Sequence, residues 1–169
     1  KNIVFMPHGI DLEDYKSKIQ FDLKNNTKLI SFAGRISREN FIYDFFKIIL
    51  NFRNRTDCKF FICGDGPELN NLKELAKKYN LNKNLIKFLG FVDKEKVISI
   101  RKKSHVNIVL MGGKSMIESL ASGRPVLTYD VEWHSEVVKN GINGIIVKKG
   151  DIKKACIEIS KLLEDKNYN

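Results

Sequence analysis

The residues best suited to bind an anion lie where an apolar segment, residues 106–110, ends in a turn of small residues. The turn and the start of the next helix supply Gly112, Gly113, Lys114, Ser115 and, one helical turn later, Glu118. Such a turn leaves backbone N–H groups unpaired at a helix N-terminus, which favours phosphate. Lys114 adds a charge, Ser115 a hydroxyl, and Glu118 a carboxylate that can accept hydrogen bonds from ribose hydroxyls. Spacing alone fits an ordinary strand–turn–helix unit with solvated side chains equally well.

Strand-like and helix-like segments alternate along the chain. Strands are predicted at residues 2–6, 29–33, 59–63, 86–89, 106–110, 125–128 and 144–147. Helices are predicted at residues 41–53, 68–79, 93–103, from the glycine turn to 123, at 135–139 and at 152–164, and residues 12–27 as an irregular connection. This alternation predicts an α/β fold: a doubly wound, Rossmann-like parallel sheet of about six strands with helices on both faces. We expect one domain over 1–169, with residues 1–27 as a first strand and connection and 28–169 as the core.

Ligands of a doubly wound sheet bind at the carboxyl ends of its strands, near the point where strand order reverses. The turns after the predicted strands therefore share one rim. That rim carries Gly34, Arg35, Gly64, Gly66, Gly90, Gly112 and Gly113. Glycine lets the backbone approach a ligand closely, although it also ends strands and helices for purely local reasons.

Composition limits the function classes. The chain has 169 residues, 43% of them hydrophobic, and no apolar run or N-terminal segment typical of a membrane span or signal sequence. Its formal net charge of +10 is compatible with nucleic acid, an anionic membrane or a phosphate-bearing ligand. The lysines are spread along the chain without interleaved aromatic residues, so nucleic acid is not expected. Attraction to anionic lipid, or simply a basic composition, remains open.

The cysteines and histidines form no metal-binding pattern. Cys58, Cys63 and Cys156 lack metal-ligand spacing and are predicted to be free thiols in a reducing cytoplasm. His105 is predicted to be structural, whereas His8 and His134 are candidates to face the cleft. We expect no metal site.

Several segments resemble the family-four retaining glycosyltransferases (glycosyl transferases group 1). The resemblance rests on residues 118–126 (E-S-L-A-S-G-R-P-V), 128–130, 136–138 and 140–144, and extends to G-R-I-S at 34–37, G-D-G-P at 64–67 and M-P-H-G-I-D at 6–11, where His8 replaces an asparagine. It implies the C-terminal, donor-binding domain of a GT-B fold. It further implies that an N-terminal acceptor domain is absent from this chain.

The resemblance also implies roles for individual residues. Arg35 and Glu118 would be the catalytic residues, with Arg35 on the donor diphosphate beside the N–H groups of the glycine turn and Glu118 on the ribose. Phe91 and Val92 would meet the nucleobase. The full set of donor-binding residues is Gly34, Arg35, Gly64, Gly66, Phe91, Val92, Gly112, Gly113, Lys114, Ser115 and Glu118.

Besides His8, the sequence departs from the family pattern at three places. Leu110 stands where the family has the first of two glutamates, and Asn40 stands where it has a lysine. Arg38 is close enough to compensate for that lysine, or else faces solvent. Glu132-Trp133 replaces a Gly-Gly pair, and Trp133 either lines an unusual sugar pocket or packs in the core.

The resemblance implies a retaining glycosyltransferase that transfers a sugar from a UDP-, GDP- or ADP-sugar to a saccharide or lipid-linked acceptor. No cofactor is expected, the isolated domain should be inactive, and the location should be cytoplasmic or peripheral at the inner face of the membrane. The alternative is a catalytically degenerate domain that binds nucleotide or a partner, favoured by Leu110 and Asn40. A sugar-nucleotide epimerase would need its own pattern of carboxylates and histidines, which the sequence lacks, and a response-regulator or flavodoxin-like domain fits less well still.

Overall fold

The computed structural model describes residues 9–16 and 27–164. Six strands lie in this part of the chain: β1 (Lys28–Ala33), β2 (Cys58–Cys63), β3 (Ile86–Gly90), β4 (Val106–Ile108), β5 (Val126–Tyr129) and β6 (Gly144–Val147). The helices are α1 (Glu13–Lys16), α2 (Ile42–Asn51), α3 (Leu69–Lys78), α4 (Lys94–Lys103), α5 (Lys114–Ala121), α6 (His134–Val137) and α7 (Ile152–Glu164). The strand predicted at residues 2–6, and His8, fall outside the described residues.

The strands form one sheet in the order β3-β2-β1-β4-β5-β6, and every neighbouring pair is parallel. The chain builds outward from β1 to β3, returns, and builds from β4 to β6 on the other side. Strand order therefore reverses between β1 and β4, which places the expected ligand crevice above these two strands. The predicted doubly wound parallel sheet is confirmed.

Alternation along the strands divides the core between the two faces of the sheet. On β2, Phe60 and Ile62 enter a large core beneath α2, α3 and α7, whereas Cys63 faces a smaller cluster under α4. A third cluster, around Met116 of α5 and Val126 of β5, lies on the α5 side. Helices thus cover both faces, and α4 and α5 flank the point where strand order reverses.

The first helix was not predicted. Residues 12–27 were expected to be irregular, but α1 occupies Glu13–Lys16 and packs against α4. The Asp11 carboxylate accepts a hydrogen bond from the Glu13 N–H at 2.9 Å, and two acidic residues in the first turn suit a helix N-terminus. An ion pair between Asp14 and Lys94 holds α1 on α4.

Several predicted boundaries differ from the structure by one or two residues; α2, for example, was predicted at 41–53 and spans Ile42–Asn51. β4 ends at Ile108 instead of continuing to Leu110, although the Val109 N–H still donates to the Leu127 carbonyl of β5 at 3.0 Å. α3 begins at Leu69, since Pro67 and Glu68 form a turn ahead of it. The predicted cap of α4 is confirmed: the Asp93 carboxylate accepts the Lys96 N–H at 2.7 Å. Among the described residues, none of the helices combines the length and the apolar character needed to cross a membrane.

Candidate functional site

A cavity of about 370 Å³, called the rim cavity below, opens at the carboxyl ends of the central strands, where strand order reverses. Its lining comes from the turns after β1, β2 and β3 and from the facing sides of α4 and α5. The lining residues are Ala33, Gly34, Arg35, Cys63, Gly64, Asp65, Phe91, Val92, Val97, Arg101, Ser115 and Glu118. A cavity of this size is within the range of small-molecule sites.

The turns after β1, β2 and β3 are tied together at their first residues. The Gly34 N–H donates to the Cys63 carbonyl at 3.0 Å, and the Gly64 N–H donates to the Gly90 carbonyl at 2.7 Å. Gly64 has a φ of +135°, and a Cβ built there would lie 1.9 Å from the Gly34 carbonyl oxygen. Only glycine therefore lets the first two turns approach this closely.

Ser115 connects α5 to the end of β1. Its hydroxyl donates to the Ala33 carbonyl at 2.7 Å and accepts a hydrogen bond from Arg101 Nη2 at 3.0 Å. Because a hydroxyl has only one proton, Ser115 has none left for a ligand oxygen. What Ser115 can offer an anion is its main-chain N–H in the first turn of α5.

Arg101 forms the base of the cavity, and the sequence prediction missed it. Its side chain, 3% exposed, bonds through Nη1 to Oε2 of Glu118 and through Nη2 to the Ala33 carbonyl and Ser115. Its Nε is buried and has no acceptor among the residues that the structure describes. In the sequence Arg101 belongs to a basic run and looks solvated. The available signal was helix phase, since Val97 and Ile98 precede it by four and three positions on an inward face.

Glu118, the predicted ribose ligand, is 20% exposed at its side chain. Oε2 is held by Arg101, while Oε1 lies 3.9 Å from Lys114 Nζ, outside hydrogen-bonding distance. One carboxylate oxygen is thus committed to the protein, and the other is in a position to accept hydrogen bonds from a ligand.

Arg35, in the turn after β1, lines the same cavity with an exposed side chain. Its main chain is anchored: the Arg35 carbonyl accepts Asn40 Nδ2 at 2.8 Å, and the next N–H, of Ile36, donates to the Asp65 carbonyl at 2.9 Å. Asn40, which replaces the family lysine, therefore braces this turn. Arg38 does not take over the lysine's place in the cavity lining, because it pairs with Glu68 at 2.8 Å.

Glu68 itself is an acceptor for several side chains. Hydrogen bonds from Tyr43, Asn71 and Arg38 hold the pKa of its carboxyl at about 2. The Arg38 side chain is 74% exposed, which agrees with the solvent-facing alternative. Cys63, by contrast, lines the cavity as a neutral thiol, since burial raises its pKa to about 11.

The glycine turn before α5 is supported from below by His134. The prediction that His134 faces the cleft is wrong: the residue is fully buried. Its Nε2 lies 3.2 Å from the Gly112 carbonyl, and its Nδ1 lies 2.7 Å from Thr128 Oγ1. Trp133 is half-buried and packs on the cluster around Met116 and Val126, so the packing alternative holds for it.

Lys114 borders a second cavity of about 430 Å³ beside the first. Arg101, Glu118, Phe91, Val92 and Val97 line both cavities, and Tyr15, Lys94, Ile98 and Lys114 line only the second. Lys102 Nζ donates to the Tyr15 carbonyl at 2.6 Å, which fixes α1 at this edge. Burial, and then the charge of Glu118, raise the pKa of the Tyr15 hydroxyl.

The structure thus brings seven of the predicted residues together in the first cavity: Gly34, Arg35, Gly64, Phe91, Val92, Ser115 and Glu118. Lys114 joins them only in the second cavity, whereas Gly66, Gly112 and Gly113 line neither. Gly66 supports the rim, since a Cβ there would meet the Ile36 carbonyl oxygen at 2.4 Å. A larger groove of about 840 Å³ runs between α3 and the edge strand β3 and contains no predicted site residue.

Leu110, at the position of the missing first glutamate, is completely buried in the large core. The contact that a carboxylate would make is therefore replaced by apolar packing beneath the turn. In residues 9–16 and 27–164, His, Cys, Asp and Glu form no group of three or more that could hold a metal ion.

Comparison with protein families and curated proteins agrees with these features. Residues 14–169 match the family described as glycosyl transferases group 1. A glycosyltransferase of Methanocaldococcus jannaschii is 32% identical over 179 residues, which cover 99% of this chain and 45% of the relative. A UDP-Gal:alpha-D-GlcNAc-diphosphoundecaprenol alpha-1,3-galactosyltransferase of Escherichia coli is 28% identical over 99% of this chain and 46% of the relative.

Solved structures show the same fold. HepE of Anabaena, in complex with UDP and glucose, has a TM-score of 0.78 at 17% identity and matches 95% of this chain and 47% of its own. The C-terminal domain of the group 1 glycosyl transferase LpcC from Francisella tularensis has a TM-score of 0.76 at 19% identity, over 95% of this chain and 90% of its own.

The doubly wound sheet and its rim cavity define a domain of the GT-B type. The chain belongs to the glycosyl transferases group 1 family. It spans about half the length of the curated relatives it matches.

Proposed function

We propose that the chain is the donor-binding half of a retaining glycosyltransferase, binding the nucleoside diphosphate part of a UDP-, GDP- or ADP-sugar in the rim cavity. One observation carries the proposal: Arg35, Ser115 and Glu118, from separate parts of the sequence, line a single cavity where strand order reverses. A guanidinium, a helix N-terminus and a carboxylate are the groups that a diphosphate joined to a ribose requires.

Each group has a distinct task in this proposal. Arg35 and the N–H groups at the start of α5 neutralise the diphosphate, most strongly when it departs with its full charge. Glu118 Oε1 accepts hydrogen bonds from the ribose. Phe91, 86% exposed at the cavity edge, offers an aromatic face to the nucleobase. Cys63 remains neutral and supplies no nucleophile.

The acceptor, a saccharide or a lipid-linked saccharide, would be bound by a second domain that closes over the rim and excludes water. The isolated chain should therefore bind nucleotide and transfer no sugar. The net charge of +10 supports an additional peripheral contact with an anionic membrane.

Calorimetric titration of the chain with UDP, GDP and ADP tests the proposal. We expect one of them to bind with a Kd between about 10 µM and 1 mM. Glu118→Ala should weaken that binding by about tenfold or more, because a charge-assisted hydrogen bond is lost. Glu74→Ala is the matched control, since Glu74 is an exposed glutamate on α3, away from the rim cavity. Undetectable binding by the wild type, or near-equal affinities of the Glu118 and Glu74 variants, would refute the proposal.

A catalytically degenerate, nucleotide-binding domain is the second candidate. It is favoured by the complete burial of Leu110, which leaves no carboxylate at the first signature position. The two candidates differ in turnover. A longer protein that includes the acceptor domain should release nucleotide from one of the UDP-, GDP- or ADP-sugars if it is an enzyme, and only bind them if it is degenerate.

A further inference from the structure

Arg101 is a buried guanidinium at the base of a ligand-sized cavity. Its contacts are unusual for a merely structural arginine, because both terminal nitrogens bond to residues that line the cavity. Burying an arginine is costly unless its donors are paired, and Nε is left unpaired within the described part of the chain. Such departures from good stability design concentrate at functional sites.

We propose that Arg101 is a positioning residue that orients Glu118 for recognition of the ribose, and this rests on the proposed function. The Arg101–Glu118 pair would then determine the preference of the site for a ribonucleotide over a nucleotide that lacks the vicinal hydroxyls.

The geometry leads to this assignment in two steps. Arg101 Nη1 engages Oε2 of Glu118, so the carboxylate cannot rotate without losing a charge-assisted hydrogen bond. Oε1 then has a fixed direction and lies 3.9 Å from Nζ of the exposed Lys114, outside hydrogen-bonding distance. A fixed acceptor binds a ligand hydroxyl more strongly than a mobile one, because no side-chain entropy is lost on binding.

Arg101 also joins Glu118 to the scaffold. Nη2 bonds to Ser115 and to the Ala33 carbonyl, so α5 and β1 are held by the same guanidinium that orients the carboxylate. Lysine, with a single ammonium, could not make these contacts in a fixed planar arrangement. The position of Glu118 relative to the end of β1 is thereby fixed before a ligand arrives.

The experiment measures discrimination, which a purely structural role would leave unchanged. Calorimetry compares whichever of UDP, GDP and ADP binds most tightly with its 2′,3′-dideoxy counterpart. The wild type should prefer the ribonucleotide by about tenfold or more. In Arg101→Gln the preference should fall to about twofold or less, mainly through weaker binding of the ribonucleotide. Arg101→Lys should lie between the two.

Two control variants test whether the loss of preference is specific to the Arg101–Glu118 pair. Lys96→Gln removes a charge from an exposed position of the same helix and should keep the full preference. The double variant Arg101→Gln/Glu118→Gln should discriminate no less than either single variant, since the pair acts as a unit. If Arg101→Gln does not fold, as judged by its thermal transition, Arg101→Lys decides the question.

The outcomes separate this inference from the proposed function. Absence of nucleotide binding by the wild type would overturn both. Wild-type binding that does not distinguish the dideoxy ligand, or Arg101 variants that lose affinity for both ligands equally, would overturn the inference alone.

Discussion

The two sides of the cavity are built in opposite ways. Its floor consists of the side chains of Arg101, Ser115 and Glu118 with the Ala33 carbonyl, and these groups already bond to one another. Its lip consists of the side chains of Arg35 and Phe91, both exposed. Arg101 is 3% exposed, whereas Phe91 is 86% exposed.

The difference indicates a division of labour. Groups that are fixed before binding recognise the part of the ligand that does not change, because they require no reorganisation. Exposed cations on flexible side chains lose entropy when a ligand orders them, but they attract an anion from solution and can follow it as charge develops. In the proposed site, the carboxylate of the floor suits the ribose, whereas the lip offers Arg35 to the diphosphate and Phe91 to the nucleobase.

The largest effect is expected where the turns that carry the floor approach each other. Gly64→Ala should lower the free energy of unfolding by about 3 kcal/mol or more, because its Cβ would lie 1.9 Å from the Gly34 carbonyl oxygen. Gly90→Ala is the control on the same rim: its φ is +67°, but its Cβ would meet nothing within 4 Å, so about 1 kcal/mol should be lost. Urea denaturation measures both free energies of unfolding. Equal losses in the two variants would mean that Gly64 is not needed for the close approach of the two turns.

At the lip, Arg35→Ala should affect binding without affecting the fold. Affinity for the preferred nucleoside diphosphate should fall by about tenfold, with a weaker salt dependence, while the free energy of unfolding changes by less than about 0.5 kcal/mol. Arg53→Ala, which removes an exposed arginine following α2, is the matched control and should change neither. A clear loss of stability in Arg35→Ala would show that Arg35, like the floor residues, helps to hold the fold, which would contradict the distinction between floor and lip.

The sequence predicted the lip better than the floor. Arg35 and the rim glycines follow strands directly, so the position of a strand end was enough to place them on one edge. Of the floor residues, Glu118 was found through its place one turn into a helix and through the family signature, whereas Arg101 was missed. The successful predictions used local signals, readable within a few residues.

The floor depends on contacts between distant residues. Arg101 and Glu118 are 17 positions apart, and Ser115 and Ala33 are 82 apart, so nothing nearby in the sequence pairs them. Arg101 also belongs to a run of basic residues, whose charge indicates a solvent-exposed position. Only its helical spacing from apolar residues indicated that it faces inward. His134 was wrongly predicted to face the cleft for a similar reason. Its ring nitrogen contacts the Gly112 carbonyl, which belongs to a turn far away in the sequence. Long-range polar contacts follow from packing, which a local pattern does not contain.

The smallest effect is expected at the amino-terminal ends of the strands, away from the cavity, where β4 begins. His105 Nδ1 accepts the Leu29 N–H at 3.0 Å, which requires an unprotonated nitrogen. Burial, and then the charges of Arg124 and Lys28, lower the pKa of His105. Below the ordinary histidine pKa of about 6.5, the unfolded chain therefore binds a proton that the folded chain does not, and stability falls as the pH falls.

This contribution is fully present above about pH 6.5 and decreases below it by at most about 1.4 kcal/mol per pH unit, the limit for one proton. His105→Asn keeps a side-chain acceptor but cannot titrate, so its free energy of unfolding should depend less on pH between 7.5 and 5.5 than that of the wild type. Nucleotide affinity should be the same in both proteins at pH 7.5, because the cavity lies at the carboxyl ends of the strands and His105 lies at their amino ends. An identical pH dependence of the two proteins would show that the Leu29 contact survives protonation, and a change in affinity would show that the two ends of the strands are coupled.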